Sequence, residues 1–287
     1  MASLKEIKGR IGSVRSTLKI TSAMKVVAST KLHRAQIAIE NMIPYDQRLS
    51  AILHSFLDGG IEIESPYVEE RKPEKVAIVT FASNSSLCGG FNSGVIRHTL
   101  EVLQEYVQLE KKNLLIYPVG RKIAQALAKS YRLTDDYKLI GDKPSYKQAA
   151  DLAEHLMRLY VSKQIDRVEL LYMHYKSTAS QTMTRETFLP LQISSMPKDT
   201  SGIMPDYIIE PSVEELVKQL IPQALRMKMY TVLLDSNASE HAARTVAMQQ
   251  ATDNANDLLR ELSLMYNKGR QQAITAELLD IIGGSMK

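Results

Sequence analysis

Two long stretches of the chain, one at each end, carry apolar side chains at helical spacing. In the first stretch the spacing alternates between three and four, which is the heptad pattern of a coiled coil: Leu4, Ile7, Ile11, Val14 and Leu18. The pattern resumes out of phase at Ile20, Met24, Ala28, Leu32, Ala35, Ile39 and Met42. Such a phase break alters a supercoil locally without ending the helix. With a stop signal at 58–60, the pattern predicts one helix of about 57 residues, roughly 85 Å long.

The C-terminal stretch mirrors the first. It begins at Ser212, which has the side chain of an N-cap, and its apolar seam contains Ala251, Ala255, Leu258, Leu262 and Met265. This second helix would have about 71 residues and a length of roughly 106 Å. If the two helices pair antiparallel and start level, the longer one extends about 14 residues, or some 21 Å, beyond its partner. The pattern therefore predicts an unpaired tip at about Gly269–Lys287.

The middle of the chain alternates between strand and helix patterns. Predicted strands cover 75–82, 113–120, 167–175 and 182–193, and predicted helices cover 93–108, 121–130 and 146–162. This alternation favours a Rossmann-like α/β domain with a mainly parallel sheet. Residues 194–211, with several prolines, indicate a linker back to the C-terminal helix. The fold class is therefore α/β, with a long antiparallel coiled coil (1–60 and 210–287) and an inserted α/β domain (70–200).

Charge and composition narrow the classes of partner. The chain is 44% hydrophobic, has a single cysteine and carries a net charge of +4. Residues 1–36 hold eight basic side chains and only Glu6 as an acid, which gives +7 and leaves −3 for the rest. A basic helix of this kind suits an acidic protein surface, a nucleic acid or an anionic lipid, or is a solvated face beside the seam. No apolar run is long enough to span a bilayer, so we expect a soluble chain, which can still attach to a membrane complex.

The sequence offers little catalytic chemistry. The first predicted strand runs into 83–92, SNSSLCGGFN, which matches neither a dinucleotide fingerprint nor a P-loop. We interpret Gly89 and Gly90 as a tight turn and Cys88 as a small buried side chain. The six histidines are scattered without a ligand-pair spacing, so neither a metal nor a cofactor site is predicted. An alternative remains, in which an α/β enzyme or small-anion-binding protein uses the Cys88-Gly89-Gly90 loop.

Three segments together resemble the gamma subunit of F-type ATP synthase, the central stalk of that rotary enzyme. They are ITSAMKVVASTKLHRAQ (20–36), LCGGFN (87–92) and ATDNANDLLRELSLMYNKGRQQAITAELLDIIGG (251–284). Their order and spacing extend the resemblance over essentially the whole chain. The last segment is the longest and the most specific of the three.

The resemblance implies a mechanical role with no catalytic residue in this chain. A single copy would form the shaft inside an alternating hexamer of alpha and beta subunits. The inserted domain would form a foot on the membrane c-ring, together with the epsilon subunit. Proton flow would turn ring and shaft and so change the catalytic sites of the head. No nucleic-acid partner is expected, and the place implied is the cytoplasmic face of a bacterial cell membrane.

The resemblance also assigns contact residues. A cluster that contacts the catalytic head matches Arg270, Gln271 and Thr275, and an N-terminal segment expected to face it matches Met24 and Lys25. The loop at the top of the inserted domain matches Leu87, Cys88, Gly89, Gly90 and Asn92.

Two positions depart from the family pattern. The family usually has an acidic, a basic and a Gly residue where this chain has Asn84-Ser85-Ser86. Gly269 stands where Ala is usual, which should cost the helix about 1 kcal/mol.

Overall fold

The computed structural model describes residues 3–58, 65–109, 113–134, 137, 140–192, 210 and 212–285. Two long helices, α1 (Leu4–Asp58) and α5 (Val213–Ser285), enclose the remaining elements in sequence. Between them, in chain order, are β1 (Val76–Phe81), α2 (Phe91–Glu105), β2 (Leu114–Val119), α3 (Arg121–Leu127), α4 (Tyr146–Val161), β3 (Arg167–Ser177) and β4 (Ser180–Leu189). The predicted class, with long terminal helices and a central α/β region, is confirmed. The predicted linker at 194–211 lies almost entirely outside the described residues.

The sheet has the strand order β2-β1-β3-β4. The first three strands are parallel, with Val79 opposite Tyr117 on one side and Leu170 on the other, and β4 pairs antiparallel with β3. All six residues of β1 are buried, as the central strand of a sheet covered on both faces must be. The predicted mainly parallel sheet is therefore confirmed.

Alternate residues of β1 point into two different cores. Ala77, Val79 and Phe81 belong to a cluster that also contains α4 and side chains of both long helices. Val76 and Ile78 belong to the opposite cluster, which α2 and α3 cover. The long helices are thus part of the core on one face of the sheet, with Leu49 and Leu53 of α1 beside Ile221 and Leu225 of α5.

The chain divides into two compact units. The first consists of residues 1–29 and 244–287, and the second of residues 30–243, which hold the sheet. In the described part of the chain, no helix is long and apolar enough to cross a membrane.

The seam of the first unit differs from the predicted one. It passes through Thr21, which is buried, while Ile20 is 60% exposed. In α5 it includes Thr252 and passes through Leu259 and Tyr266, which are half-buried, instead of Leu258 and Met265, which are exposed. The predicted phase break at Ile20 is therefore wrong: the heptad continues unbroken from Leu4 through Thr21 to Ala28. A count of apolar residues alone missed this seam because both helices place a threonine in it.

Two contacts fix the antiparallel alignment of the first unit. The hydroxyl oxygens of Thr21 and Thr252 lie 2.9 Å apart. A Cβ on Gly269 would lie 3.1 Å from Leu4 Cδ2, so the first seam residue of α1 packs against this glycine. The two residue numbers of each contact add up to 273, which gives the register of the pair. Beyond Gly269, every residue from 270 to 282 is exposed, as the sequence predicted for an unpaired tip.

Candidate functional site

The first candidate surface is the unpaired end of α5. Arg270, Gln271 and Thr275 are exposed there, and the Thr275 hydroxyl donates to the Gln271 carbonyl at 2.9 Å. The same segment exposes five large aliphatic side chains to between 49% and 63%: Ile274, Leu278, Leu279, Ile281 and Ile282. A lone helix that exposes this much apolar surface is typical of a segment that packs against a partner.

Met24 and Lys25 form a separate surface. Both are half-buried against the seam, and the register places them level with residues 248 and 249 of α5. Arg270 lies about 21 residues further along, which is roughly 31 Å of helix. The structure therefore does not bring Met24 and Lys25 together with the Arg270 cluster. The expectation that the two segments face each other is wrong because the long seam separates their levels.

The basic side chains of α1 are available to a partner. In the first unit, none of the following forms an ion pair with a residue that the structure describes: Lys5, Lys8, Arg10, Arg15, Lys19 and Lys25. All except Lys25 are exposed. Basic side chains that no acidic residue neutralises attract an acidic surface, and in solvent their contacts with it are screened and easily broken. We call these six side chains the basic stripe on α1.

The loop between β1 and α2 is organised by Asn92. Its side-chain amide donates to the Ser83 hydroxyl at 2.9 Å and to the Ser85 carbonyl at 3.2 Å. Its amide oxygen accepts from the Ser83 backbone N–H at 3.0 Å. The first turn of α2 is thereby tied to the end of β1. Because these polar groups bond one another, few are left for an anion, and the loop gives no support to the alternative enzyme or anion-binding function.

Cys88 and its neighbours have distinct roles in this loop. Cys88 is 1% exposed, with its Sγ 3.1 Å from Asn92 Nδ2, which agrees with its interpretation as a small buried side chain. Gly89 has a φ of 58°, the left-handed conformation that a tight turn with glycine requires. Leu87 also has a positive φ, of 66°, although it is a leucine, and its side chain is 60% exposed. The loop thus holds one apolar side chain out towards solvent at a cost in backbone energy.

Asn84 stands where the family usually has an acidic residue, and it still accepts one hydrogen bond that an acidic side chain would accept. Asn84 Oδ1 accepts the backbone N–H of Arg121, the first residue of α3, at 2.8 Å. An aspartate would accept that bond equally well and would suit a helix N-terminus. The Asn84 Nδ2, in contrast, is buried without a hydrogen-bond partner.

Sequence reasoning missed Gly120, between β2 and α3. Its φ is 118°, and a Cβ at this position would lie 2.1 Å from the Ala82 carbonyl oxygen. The β1 and β2 ends can therefore approach this closely only with glycine here. The sequence signal is the glycine at the end of the predicted strand 113–120, which indicates where the strand ends but not that only glycine fits there.

Sequence reasoning also missed a set of polar clamps between α5 and the sheet domain. Asp235 accepts from Tyr175 N–H at 2.7 Å and pairs with His174 Nδ1 at 2.6 Å. Two and four residues further along α5, Asn237 donates to the Gly141 carbonyl and Ser239 to the Met173 carbonyl, both at 2.8 Å. Burial raises the pKa of Asp235, and the hydrogen bond from His174 opposes that rise. These side chains give α5 directional bonds to the domain in addition to its apolar contacts.

A buried charge network holds the edge of the sheet. Glu169, on β3, is 1% exposed and accepts from Arg185 at 2.9 Å and 3.1 Å and from the Tyr106 hydroxyl at 2.7 Å. Burial, followed by the hydrogen bond to Glu169, raises the pKa of Tyr106 to about 12. The network joins β3, β4 and the end of α2. In the described residues, no group of three or more His, Cys, Asp or Glu side chains could hold a metal ion.

Comparisons with known proteins find relatives that match along the whole chain. A family model described as ATP synthase matches residues 3–286. The ATP synthase gamma chain of Phocaeicola vulgatus is 60% identical over 288 residues, which covers all of both chains. The gamma chain of Bacteroides fragilis is 57% identical, also over the full length of both.

Solved structures show the same fold. The rotor of the Euglena gracilis mitochondrial ATP synthase matches with a TM-score of 0.62 at 21% identity, covering 94% of this chain and 98% of that one. The central stalk and c-ring structure of the Tetrahymena thermophila mitochondrial enzyme matches with a TM-score of 0.59 at 22% identity, covering 81% and 99%.

Proposed function

Because this chain belongs to the ATP synthase gamma-chain family, and is a non-catalytic subunit of the central stalk, we propose how its parts divide the work of rotation. The paired helices, in 1–60 and 210–287, form the turning shaft. The sheet domain, within 70–200, forms the foot that receives the rotation from the proton-driven membrane ring. The observation that carries this division is the change in the environment of α5: no residue from 220 to 243 is exposed, whereas every residue from 270 to 282 is.

The foot grips the shaft through side chains of α5 that have fixed geometry. Rotation applied to the sheet domain must reach α5 without slippage, and apolar contacts alone slide more easily than directional hydrogen bonds. Asp235, Asn237 and Ser239 supply such bonds to three backbone groups of the domain. We propose that the foot binds the c-ring together with the epsilon subunit, and that the exposed Leu87 belongs to its contact surface.

The head is contacted at two separate levels of the shaft. Arg270, Gln271 and Thr275, with the apolar tip beyond them, form one level, and Met24 and Lys25 form the other. The partner at both levels is the alternating hexamer of alpha and beta subunits around a single copy of this chain. A shaft with unequal faces makes different contacts with each catalytic subunit, which is what a rotating drive of three sites requires. The basic stripe on α1 favours acidic segments of the catalytic subunits.

The complex is associated with a membrane, and we place this subunit on the cytoplasmic face of a bacterial cell membrane. The support is the identity to the gamma chains of two bacteria, Phocaeicola vulgatus and Bacteroides fragilis.

Co-purification tests the proposal directly. A tagged chain, expressed in place of the native subunit and extracted from membranes with mild detergent, should carry alpha, beta, epsilon and c subunits in constant proportion. A matched chain that ends before Arg270 should keep the foot partners and bind the head less tightly. Recovery of the full chain without alpha and beta subunits would contradict the assignment.

A further inference from the structure

The hairpin of β3 and β4 is longer than the rest of the sheet. β3 pairs with β1 only as far as Leu171, whereas its pairing with β4 continues to Ser177. The residues past this point, 172–184, form a two-stranded ribbon, which we call the hairpin extension. A ribbon of two strands is marginally stable by itself in water, so the extension depends on its contacts with other parts of the chain.

The hairpin extension is bonded to α5 at three adjacent residues. The Met173 carbonyl accepts from the Ser239 hydroxyl at 2.8 Å, and the Tyr175 backbone N–H donates to Asp235 at 2.7 Å. The ring of His174, between them in sequence, pairs with the same aspartate at 2.6 Å. These contacts hold Tyr175 at a fixed level of α5.

The side chain of Tyr175 reaches α1 as well. Its hydroxyl accepts from the Gln36 side-chain amide at 2.9 Å. One residue of the hairpin extension thus contacts both long helices within the second unit, α5 through its backbone N–H and α1 through its hydroxyl. The side chain is half-buried and packs against a small cluster of buried residues from both helices: Leu32 and Ala35 of α1, and Ala238 and Ala242 of α5.

This cluster offers little apolar area of its own. Three of its four buried members are alanines, and the apolar area that a residue buries sets most of its contribution to packing. Elsewhere in the second unit the same two helices bury larger side chains, with Leu49 and Leu53 on α1 and Ile221 and Leu225 on α5. Because an aromatic ring buries far more area than an alanine, Tyr175 supplies apolar contact where the helices themselves supply little.

We propose that the hairpin extension is a strap that ties α1 to α5 at the level of this cluster, with Tyr175 as its anchor. The polar contacts of the sheet domain then extend from α5 to α1. A rotation of the domain would reach both helices at one level, so that they turn together without sliding past each other. This use of the strap rests on the proposed function, whereas the strap itself does not.

Hydrogen–deuterium exchange of the full-length chain tests the strap. Tyr175→Ala removes the ring and the bond to Gln36, and it keeps the backbone N–H that Asp235 accepts. Residues 32–39 of α1 should then exchange their amide protons several-fold faster, because a helix segment that loses a packing partner unfolds locally more often. Tyr175→Phe, which keeps the ring and loses only the hydroxyl, should give a smaller increase.

Thr182→Ala is the matched control. Thr182 lies on the same hairpin extension, opposite His174, but its side chain is exposed, so exchange in 32–39 should stay as in the natural chain. Unchanged exchange of that segment in Tyr175→Ala would overturn the proposal. An equal increase in β1 and α2 would also overturn it, since Tyr175 would then stabilise the domain as a whole.

The use of the strap in rotation has a separate readout. In the membrane-bound complex, ATP synthesis driven by a proton gradient should be partly lost with Tyr175→Ala and kept with Thr182→Ala. Faster exchange in 32–39 without any loss of synthesis would overturn the role in rotation and leave the strap. Absence of alpha and beta subunits from complexes of the natural chain would instead contradict the proposed function, and the exchange result would be unaffected.

Discussion

One helix, α5, has two different environments along its length. From 220 to 243, inside the second unit, none of its residues is exposed, whereas from 270 to 282 all of them are. The enclosed part combines apolar packing with polar clamps, and the exposed part has neither. The first part therefore has a fixed grip within the chain. The second part obtains its contacts only from outside the chain.

The largest expected effect comes from Gly120, in the second unit. Gly120→Ala would place a Cβ 2.1 Å from a backbone oxygen at a φ of 118°. Steric overlap and backbone strain together should lower the free energy of unfolding by about 3 kcal/mol or more, measured by urea denaturation.

Gly9, in the first unit, is the matched control. A Cβ there would have no atom within 4 Å, so Gly9→Ala should raise stability by about 1 kcal/mol through helix propensity alone. Similar losses at the two glycines would contradict the contrast between the units.

A smaller effect is expected at Asp235, again in the enclosed part of α5. Asp235→Ala would leave the Tyr175 N–H and the His174 ring without their acceptor, at a cost of about 2–3 kcal/mol. Burial disfavours the charged form of Asp235 and so raises its pKa. The charge of the carboxylate therefore contributes less to stability than the hydrogen bonds that its oxygen atoms accept. Asp235→Asn, which keeps one acceptor, should therefore cost less than Asp235→Ala.

Asp253, an exposed residue on the paired part of α5, provides the comparison. In the described part of the chain, its carboxylate accepts only from Gln249 on the same helix, at 2.8 Å and 2.9 Å, and Asp253→Ala should change stability by at most about 0.5 kcal/mol. Thermal unfolding of the three variants, followed by circular dichroism, measures the difference. Equal losses at Asp235 and Asp253 would show that the clamp contributes no grip.

Alkaline pH should weaken the second unit through Tyr117. Burial, and then the neighbouring Tyr137, raise the pKa of Tyr117 to about 12, from an ordinary value of 10.0. The folded state thus holds this proton more tightly than the unfolded state. Its contribution to stability is complete below pH 10 and is lost as the pH rises towards 12.

For a shift of two units, the loss for this one side chain is at most about 2–3 kcal/mol. Tyr117→Phe should remove that part of the pH dependence, as judged from urea midpoints at pH 9, 10 and 11. A variant that loses stability as steeply as the natural chain would show that Tyr117 is not responsible.

Much of the fold could be predicted from the sequence because its signals are local. Strand runs, helix periods and the stop at 58–60 depend on neighbouring residues, and the elements followed them closely. The phase of the seam could not be predicted, because Thr21 and Thr252 count as polar until their partnership across the helices is known. The clamps at Asp235, Asn237 and Ser239 were missed for the same reason, since each bonds a backbone group distant in sequence.

The contact residues depended on the resemblance, and the structure changed their grouping. Arg270, Gln271 and Thr275 lie on an exposed tip, as a contact role requires, but Met24 and Lys25 lie at another level. Spacing along one helix gives no alignment with a second helix, so the separation of about 31 Å became visible only with the register.

The smallest expected effect on stability, and the most informative for function, is at the tip. Arg270→Ala with Gln271→Ala removes two exposed side chains that contact no other part of the described chain through an ion pair or a side-chain hydrogen bond. The unfolding free energy should therefore change by less than about 0.5 kcal/mol. ATP synthesis driven by a proton gradient in membrane vesicles should fall, because the head loses polar contacts that depend on rotor position.

Arg260→Ala is the matched control for this pair. Arg260 is also exposed, but it lies on the paired part of α5, and among the described residues its side chain bonds only Asp257, at 3.4 Å. It should leave both stability and ATP synthesis unchanged. If the double variant at the tip synthesised ATP at the natural rate, Arg270 and Gln271 would not be contact residues, and the exposed apolar side chains beyond them would have to carry the contact with the head.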